Sequence, residues 1–420
     1  MPNGVNEKIK QPKPSRLGVT FKDSKAAPLH RWYPYVEGFS AEYIQGHIKR
    51  YAGDGAVFDP FGGSGTVNLI ASQSGHRSWF CEVNPLMRLI ADAKINSVRE
   101  LVDRPDVLAD ALEEFTIFFA GDQFARQIKN SAVDQYHAAF SERDFFELND
   151  LRELLVIREA INNYRDDPAL KKVLLVALAS ITVSCSHMTR RADLRRRRPG
   201  EYKTRIVDVR KQYLDRLTAF LADIVGAQKP KAPVVCVGPD SRKFFPELSG
   251  QVDLILTSPP YLNGTNYIRN TKLELWLLGF IDSEKDLSNL NKICMVCGIS
   301  NVVKDRLPVH TFNTVEEVAK ILDRESPDKR IPAMVRGYFS DMKQVLLNCR
   351  QYLRSGGSLV LDIGDSKFYG VHVPTDKLLI DVAESSGLRL TNENVLARRM
   401  SKDKTPLHQV ELRFTRARSL

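Results

Sequence analysis

The sequence has only six cysteines among 420 residues, which excludes a disulfide framework and favours a reducing compartment. No charged-then-apolar leader opens the chain, so we do not expect secretion. The longest apolar run, Val173 to Cys185, is shorter than the roughly 20 residues of a membrane-spanning helix. No repeat of about 20 to 50 residues is visible, which argues against solenoids and propellers. We therefore expect a cytoplasmic protein that does not enter a membrane.

The composition is that of a folded protein with a basic excess. Hydrophobic residues make up 43% of the chain and charged residues 27%, so disorder does not describe the whole chain. The net charge of +10 favours a polyanionic partner without identifying one. The length fits two or three lobes, or one large α/β domain with an insertion.

A strand–helix alternation begins at Gly55 and predicts an α/β fold with a mainly parallel sheet. Strands are predicted at 56–59, 78–82, 234–237, 252–256 and 358–363, and helices at 66–74, 85–97, 336–353 and 376–386. Residues 409–414 are predicted to form a late edge strand, and 281–335 an irregular, mobile or substrate-facing loop.

The segment between the two halves of this pattern has a different character. Helical periodicity covers 142–164, 171–185 and 206–224, so we predict a helical insertion over residues 98–231. The α/β domain would then comprise 29–97 and 232–420. Residues 1–28 are polar, contain four prolines and are predicted to form a flexible arm.

A glycine-rich turn, Asp59-Pro-Phe-Gly-Gly-Ser-Gly-Thr66, follows the first strand and opens a helix. Glycine lets the backbone turn tightly and approach a ligand, and the free N–H groups of a helix start favour an anion. A tight turn without any ligand would have the same local pattern. The turn is not a P-loop, because no lysine follows its last glycine.

Two acidic residues stand at strand ends. Glu82 ends the second strand, where doubly wound folds commonly place the acceptor for a ribose diol, and Asp240 follows the strand at 234–237. Asp240 is a candidate for holding an adenine amino group. For Glu82, an exposed strand-end carboxylate is an equal alternative on this feature alone.

The sharpest signal is the run Leu254-Ile-Leu-Thr-Ser-Pro-Pro-Tyr261. Two prolines cannot continue a strand, so the chain leaves the sheet as a rigid, extended piece with outward carbonyls. Rigid acceptors beside an aromatic ring are suited to holding an exocyclic amine in one orientation. A simple proline stop before a loop is the alternative.

Together, Phe61-Gly-Gly-Ser-Gly65 and Ser258-Pro-Pro-Tyr261 resemble the motifs of the amino-methylating DNA methyltransferases of restriction–modification systems. These enzymes modify cytosine N4 or adenine N6 with S-adenosylmethionine. Further resembling segments lie at 30–35, 39–40, 338–342, 355–357, 361–366 and 373–375. The resemblance covers roughly 28–95 and 232–420 and is poor over 98–230. It implies a Rossmann-like, S-adenosylmethionine-dependent methyltransferase sheet.

The resemblance also implies roles for individual residues. Ser258 and the carbonyl of Pro259 would hold the target amine, Pro260 would keep the segment rigid, and Tyr261 would stack on a flipped base. The implied cofactor-binding residues are Tyr33, Asp59, Phe61, Gly63, Gly65, Thr66, Glu82, Asn84, Asp240 and Ser241. A motif that begins with serine favours cytosine N4 over adenine N6.

Methylation of an exocyclic amine needs little covalent help from the protein. The sulfonium methyl is already activated, so positioning supplies most of the catalysis, and no cysteine nucleophile is required. A base inside a duplex cannot reach such a pocket and has to be flipped out.

A basic run, Ser186 to Arg210, carries a net charge of +6 and includes four consecutive arginines. Arginine forks suit phosphates and guanine edges, although a solvated surface is the common alternative. The predicted DNA-binding residues are Arg190, Arg191, Arg195, Arg196, Arg197, Arg198, Arg269 and Lys272.

The leading hypothesis is a site-specific DNA (cytosine-N4) methyltransferase that acts on double-stranded DNA as a monomer, in a prokaryotic cytoplasm and associated with the nucleoid. A separately encoded restriction endonuclease would be its genetic partner. Adenine N6, or an amine of RNA or protein, is the alternative target. A non-catalytic nucleic-acid-binding protein on the same fold is the alternative of a different class. No metal site is expected, because Cys294, Cys297 and His310 lack a fourth ligand.

Overall fold

The structure is a computed structural model that describes residues 26–34, 39–131, 133–190, 193–202, 207–262, 266–303, 306–400 and 404–416. Most of the predicted arm, residues 1–28, lies outside this part of the chain. The strands are β1 (Ala56–Asp59), β2 (Ser78–Cys81), β3 (Met188–Arg190), β4 (Leu194–Arg196), β5 (Val234–Gly238), β6 (Val252–Thr257), β7 (Leu353–Gly364), β8 (Ser366–Phe368), β9 (Val371–Val373), β10 (Leu388–Met400) and β11 (Pro406–Arg416).

Sixteen α-helices are found in the described residues, and several begin with a side-chain cap. Asn84, Asp167 and Asp208 each accept a backbone N–H of the first helical turn. The helices are α1 (Ala41–Tyr51), α2 (Thr66–Gln73), α3 (Pro85–Asp92), α4 (Val98–Leu101), α5 (Pro105–Ala120), α6 (Asp122–Asn130), α7 (Asp134–Phe140), α8 (Leu148–Asn162), α9 (Pro168–Thr182), α10 (Val209–Gly226), α11 (Tyr267–Asn270), α12 (Lys272–Leu277), α13 (Glu284–Ile293), α14 (Asn313–Glu325), α15 (Arg330–Tyr352) and α16 (Thr375–Ser385).

Seven strands form one sheet in the order β5-β2-β1-β6-β7-β11-β10. The first five strands run parallel, and β11 and β10 add an antiparallel pair at one edge. The predicted α/β fold with a mainly parallel sheet is therefore confirmed. The strand order reverses between β1 and β6, and doubly wound sheets bind ligands outside the carboxyl ends of the strands at this point.

Alternate residues of a strand point to opposite sides of the sheet, and here both sides carry buried apolar side chains. Helices therefore cover both faces of the sheet. Val57 and Leu254 belong to a buried cluster with residues of α1 and α2. Their neighbours Phe58 and Ile255 lie in a second cluster, with α15 and α16. This burial explains why the central strands are mainly apolar.

The segment predicted as a helical insertion consists mainly of α4 to α10, together with a short hairpin of β3 and β4. These helices share one buried cluster with residues of the segments on either side, 29–97 and 232–420. The ring of Trp32, for example, stacks on Phe220 of α10 at 4.1 Å between centroids. Asp223 on the same helix accepts hydrogen bonds from the Leu29 N–H and the Trp32 indole. The segment is thus packed into the main core.

Two predictions about the C-terminal half are wrong in part, namely the irregular structure of 281–335 and the edge position of the strand at 409–414. Residues 281–335 include α13, α14 and the start of α15, because Val315, Ala319 and Leu322 recur at helical spacing and are buried. The strand predicted at 409–414 is β11, which pairs with both β7 and β10, so β10 occupies the edge. Among the helices in the described ranges, none combines the length and the apolar character that crossing a membrane requires.

Candidate active site

The carboxyl ends of β1, β2 and β6 meet at the point where the strand order reverses. The hydroxyl of Thr257, the last residue of β6, donates to Asp59, the last residue of β1, at 2.6 Å. Asp59 also accepts the N–H of Phe61 at 3.0 Å. These bonds tie the glycine turn to the segment that enters Pro259 and bring the two sequence motifs together.

The glycine turn is held from the β2 side. The N–H of Gly62 donates to the Cys81 carbonyl and that of Gly63 to the Glu82 carboxylate, at 2.9 and 2.8 Å. Gly65 is left-handed with a φ of +77°, and a Cβ there would lie 2.7 Å from the Cβ of Ala91. Glycine is therefore required at 65 for packing on α3, and room for a ligand is not the reason.

A first cavity opens between these strand ends, with about 830 Å³ of empty space that is partly open to solvent. Its walls combine acidic and polar groups with apolar side chains. They include Phe61, Glu82, Met87, Asp240, Ser241, Ser258, Pro260, Asn266, Tyr267, Ile268, Cys294, Met295, Cys297 and Asn301. Such a mixture is typical of a small-molecule site.

Glu82 lies half-buried on this wall, and each of its carboxylate oxygens accepts one backbone N–H. The partners are Gly63 and Asn84, at 2.8 and 2.7 Å. Burial raises the pKa of Glu82, and these hydrogen bonds oppose the shift. Because a carboxylate has about four acceptor positions, Glu82 keeps capacity for the ribose diol that the sequence predicts.

Asp240 lines the same cavity but is already engaged. Arg242 donates to both of its oxygens, at 2.8 and 3.0 Å. Arg242 and Arg306 also bind Asp341 of α15, which in turn accepts the Val296 N–H at 2.8 Å. This network fastens the loop after α13 over the cavity, and the part of Asp240 in holding an adenine stays a prediction.

A second cavity of about 490 Å³ lies along the glycine turn. It shares Phe61, Ser258 and Tyr267 with the first cavity, so the two adjoin at these residues. Its other lining residues are Phe39, Asp59, Gly62, Gly63, Ser64, Thr66, Val67 and Pro259. Burial raises the pKa of Asp59 to about 7, although hydrogen bonds from Thr257 and Phe61 oppose the shift.

The predicted amine-binding segment lies on the boundary between the two cavities. Ser258 lines both, Pro259 lines the second and Pro260 the first. A group held by the Ser258 hydroxyl and the Pro259 carbonyl would therefore face ligands in either cavity. The geometry is suited to bringing two reactants together at one point.

Tyr261, predicted to stack on the target base, is not among the residues that line either cavity. Its hydroxyl donates to Asp362 at 3.0 Å, and Gln409 donates to the same carboxylate at 2.8 Å. Tyr267 is the tyrosine found at both cavity walls. The sequence prediction missed it because no proline-rich motif marks α11.

This arrangement gives a testable prediction for Tyr261. Replacing Tyr261 with alanine removes a stacking face worth about 1–3 kcal/mol in comparable base contacts. We expect the flipped fraction of a fluorescent base analogue to fall and cofactor affinity to stay unchanged. Tyr261→Phe keeps the ring and loses the bond to Asp362, so it should retain most flipping. Equal flipping in all three proteins would show that Tyr261 does not stack on the base.

Three predicted cofactor residues, Tyr33, Gly65 and Asn84, are absent from the walls of both cavities. The Tyr33 hydroxyl is buried and donates to Glu274 of α12 at 2.7 Å, and it also accepts from Arg190. The side chain of Asn84 caps α3 and donates to Thr271 at 2.9 Å. Both side chains have structural partners within the fold, and their predicted contacts with a cofactor stay predictions.

The predicted DNA-binding residues divide into internal and surface groups. Arg190 is internal: its side chain is 9% exposed and pairs with Glu274, which corrects its predicted contact with DNA. Lys272 packs over the rings of Phe140 and Phe145, at 5.8 and 4.2 Å, and burial lowers its pKa. A half-buried cation on aromatic faces is a poor candidate for a strand contact.

The surface arginines are mostly paired. Arg195 binds Glu201, Arg196 binds Asp144 and Arg269 binds Asp193, at 2.8, 2.7 and 3.0 Å. DNA phosphates would have to replace these exposed ion pairs, which are individually weak. Arg198 is exposed and Arg197 half-buried, and Arg191 lies outside the described residues.

The β3–β4 hairpin that carries these arginines is attached to α11, next to the cavity. The side chain of Arg190 donates to the Asn270 carbonyl at 3.0 and 2.7 Å. The Leu194 N–H donates to the Asn270 side chain at 2.8 Å. The basic surface and the cavity wall at Tyr267 are therefore parts of one connected structure.

The comparisons with known proteins find methyltransferases. No family model matches the chain. The chain is 26% identical to the Type II methyltransferase M.AvaI of Anabaena variabilis and of a Nostoc species, over 91% of this chain and 83% of the relative. It is 23% identical to the Type II methyltransferase M.BsoBI of Geobacillus stearothermophilus, over 89% of this chain and 81% of the relative. The solved antibiotic-resistance methyltransferase Kmr overlaps 50% of this chain at 12% identity, with a TM-score of 0.21 that is too low to compare the folds.

The recognition made from the motifs is thereby confirmed: the relatives, over about nine tenths of the chain, are Type II methyltransferases. The relationship implies S-adenosylmethionine as methyl donor, as predicted from the sequence. The site fits this group. The first cavity offers a carboxylate for a ribose diol and apolar walls for a base. The second offers the glycine backbone and the Asp59 carboxylate for an amino-acid end.

Proposed function

We propose, from this relationship and from the site, that the protein is a site-specific DNA methyltransferase that methylates the exocyclic N4 amine of cytosine in duplex DNA. The target base would be flipped out of the helix to reach the cavity. A restriction endonuclease encoded separately would complete the system in a bacterial cytoplasm.

One observation carries the proposal: Ser258 lies on the boundary of two cavities, one suited to a nucleoside and one to an amino acid. A methyl group at the junction of these two parts of the donor would face Ser258. An acceptor pair at that point is the arrangement that amine methylation requires. The serine at the start of the motif favours cytosine, as the sequence resemblance implies.

The chain's own residues would act mainly by positioning. The Ser258 hydroxyl and the Pro259 carbonyl would each accept a hydrogen bond from one N–H of the target amine, which turns the nitrogen lone pair towards the methyl group. Pro259 and Pro260 fix these acceptors, so little reorganisation is needed during transfer. The donor, when bound, supplies a methyl group activated by its sulfonium. Phe61 and Tyr267, at the boundary of the cavities, would exclude water from the reacting atoms.

Adenine N6 is the second candidate target, because the same acceptors would hold either amine. DNA methylated with the purified protein and digested to nucleosides distinguishes the two by mass spectrometry. We expect N4-methylcytosine. N6-methyladenine would transfer the proposal to the second candidate, and the absence of both with a bound cofactor would favour a non-catalytic DNA-binding protein. The Ser258→Ala variant serves as the control for methylation by a contaminating enzyme.

The surface arginines give a prediction about DNA affinity. Replacing Arg195 to Arg198 with alanine should weaken binding to all sequences and flatten its salt dependence, by about 0.9 in log–log slope for each phosphate that the variant no longer neutralises. Affinity measured across a salt series checks this. Arg165→Ala with Arg330→Ala is a matched control, since both are exposed arginines in ion pairs. An unchanged slope in the fourfold variant would mean that the run is only a solvated surface.

A further inference from the structure

Lys94 is a buried lysine that does not belong to the site described above. It lies in a π-helical turn, Ala93–Ser97, that continues α3, and it is 1% exposed. Its ammonium donates to the carbonyl of Ser64 at 2.7 Å. No carboxylate forms an ion pair with it in the described part of the chain. Burying an ammonium without a counter-ion is costly, and π-helical turns are frequent at functional sites.

The position of its partner connects Lys94 with the second cavity. Ser64 belongs to the glycine turn, and Gly63, Ser64 and Thr66 all line that cavity. The ammonium is therefore behind the cavity wall, which is a single stretch of backbone at this point. On the opposite strand end, Asp59 contributes a carboxylate to the same cavity. A zwitterionic amino acid would find an acidic group on one side and a basic group on the other.

We propose that Lys94 is a positioning residue for the carboxylate of the methyl donor's amino-acid end. It would act through the glycine turn in two ways. Its ammonium would hold the Ser64 carbonyl directed towards itself, and its positive charge would lie behind the wall of the second cavity. The inference rests on the proposed function, because it needs a donor with a carboxylate in this cavity. It adds to that function a residue that neither motif contains.

The surroundings of Lys94 allow its charge to respond to a ligand. Burial lowers the pKa of Lys94 to about 7, and burial together with Lys94 lowers that of His30 to about 3. A carboxylate near Lys94 would raise the pKa of the lysine and favour proton uptake. The charged residues on the helices packed against it are half-buried or exposed, namely Arg88, Asp92, Arg99, Glu100, Lys171 and Lys172.

The test compares two ligands in the wild type and in Lys94→Met. S-adenosylhomocysteine has the amino-acid carboxylate, and 5′-methylthioadenosine has the same nucleoside without it. We expect the variant to bind S-adenosylhomocysteine about tenfold more weakly or worse, and 5′-methylthioadenosine unchanged. Methionine fills a similar volume in an apolar site, so the variant should fold, and its melting temperature checks this.

Proton uptake gives a second readout that a purely structural role would not change. Titration calorimetry of S-adenosylhomocysteine at pH 8, in two buffers of different ionisation enthalpy, should show more proton uptake by the wild type than by Lys94→Met. Lys172→Met is the control, because Lys172 lies nearby on α9 and pairs with Asp92 at 2.6 Å outside the core. It should match the wild type with both ligands.

Three results would overturn the inference. Equal losses for the two ligands would mean that Lys94 only maintains the local fold. Unchanged affinity for S-adenosylhomocysteine together with unchanged proton uptake would mean that it has no part in carboxylate binding. If the folded wild type binds neither ligand, the cofactor site itself is wrong, and the proposed function fails with the inference.

Discussion

Replacing Gly65 with alanine is expected to destabilise the whole protein rather than only weaken cofactor binding. An L-residue in the left-handed conformation found at Gly65 costs about 1–2 kcal/mol. The new Cβ would lie 2.7 Å from the Cβ and 3.2 Å from the Cα of Ala91, so the backbone of α3 would have to move. Overpacking of this kind costs about 1–3 kcal/mol more. Urea unfolding should therefore show a loss of about 2–5 kcal/mol, a large part of a typical stability of about 5–15 kcal/mol.

Gly250 provides the matched control for this prediction. It is also left-handed, with a φ of +65°, but a Cβ there would meet nothing within 4 Å. Gly250→Ala should therefore show only the conformational cost. Equal losses in the two variants would contradict the assignment of Gly65 to helix packing.

The strands and the glycine turn that surround the cavities could be predicted from the sequence, because the signals for them are local. The strand at 56–59 is observed as β1 with the same bounds, and the glycine turn opens α2 as expected. The strand before Pro259 extends one residue beyond the prediction, to Thr257. Apolar runs, glycines and prolines act on their immediate neighbours, so these features do not depend on the rest of the fold.

Contacts between distant residues could not be predicted in the same way. Arg190 and Tyr33 converge on Glu274, which stands 84 residues from the arginine and 241 from the tyrosine. In the sequence, Arg190 is indistinguishable from the surface arginines that follow it. Only the tertiary arrangement reveals that one arginine stabilises the core while its neighbours face solvent.

The segment at 281–335 shows a different kind of failure. Because the segment is rich in charged residues, α13 and α14 were not predicted. Val315, Ala319 and Leu322 of α14 are nevertheless buried at helical spacing. The loop between these helices supplies Cys294, Met295 and Asn301 to the first cavity. These wall residues carry no motif, because apolar side chains of many kinds can shape a cavity. Asp341 holds these wall residues in place, because it accepts hydrogen bonds from Arg242, Arg306 and the Val296 N–H.

Ser258 is the residue whose loss should most reduce the chemical step. Its neighbours Thr257 and Pro259 are fixed, the first by Asp59 at 2.6 Å and the second by its own ring. Ser258 alone in this segment lines both cavities. As the methyl group moves, positive charge develops on the amine, and its bond to an acceptor strengthens. The hydrogen bond to Ser258 therefore stabilises the transition state of methyl transfer more than the bound ground state. An interaction accelerates the chemical step only under this condition.

Ser258→Ala is expected to lower the single-turnover methylation rate while leaving DNA affinity and S-adenosylhomocysteine affinity unchanged. A hydrogen bond to a charged group is worth about 1.5–3 kcal/mol, which corresponds to a rate about 10- to 150-fold lower. Ser241→Ala is the matched control, because Ser241 lines only the first cavity and should affect cofactor affinity rather than the rate at saturation. A wild-type rate in Ser258→Ala would place the acceptor of the amine elsewhere. A fall in cofactor affinity equal to the fall in rate would assign Ser258 to cofactor binding instead.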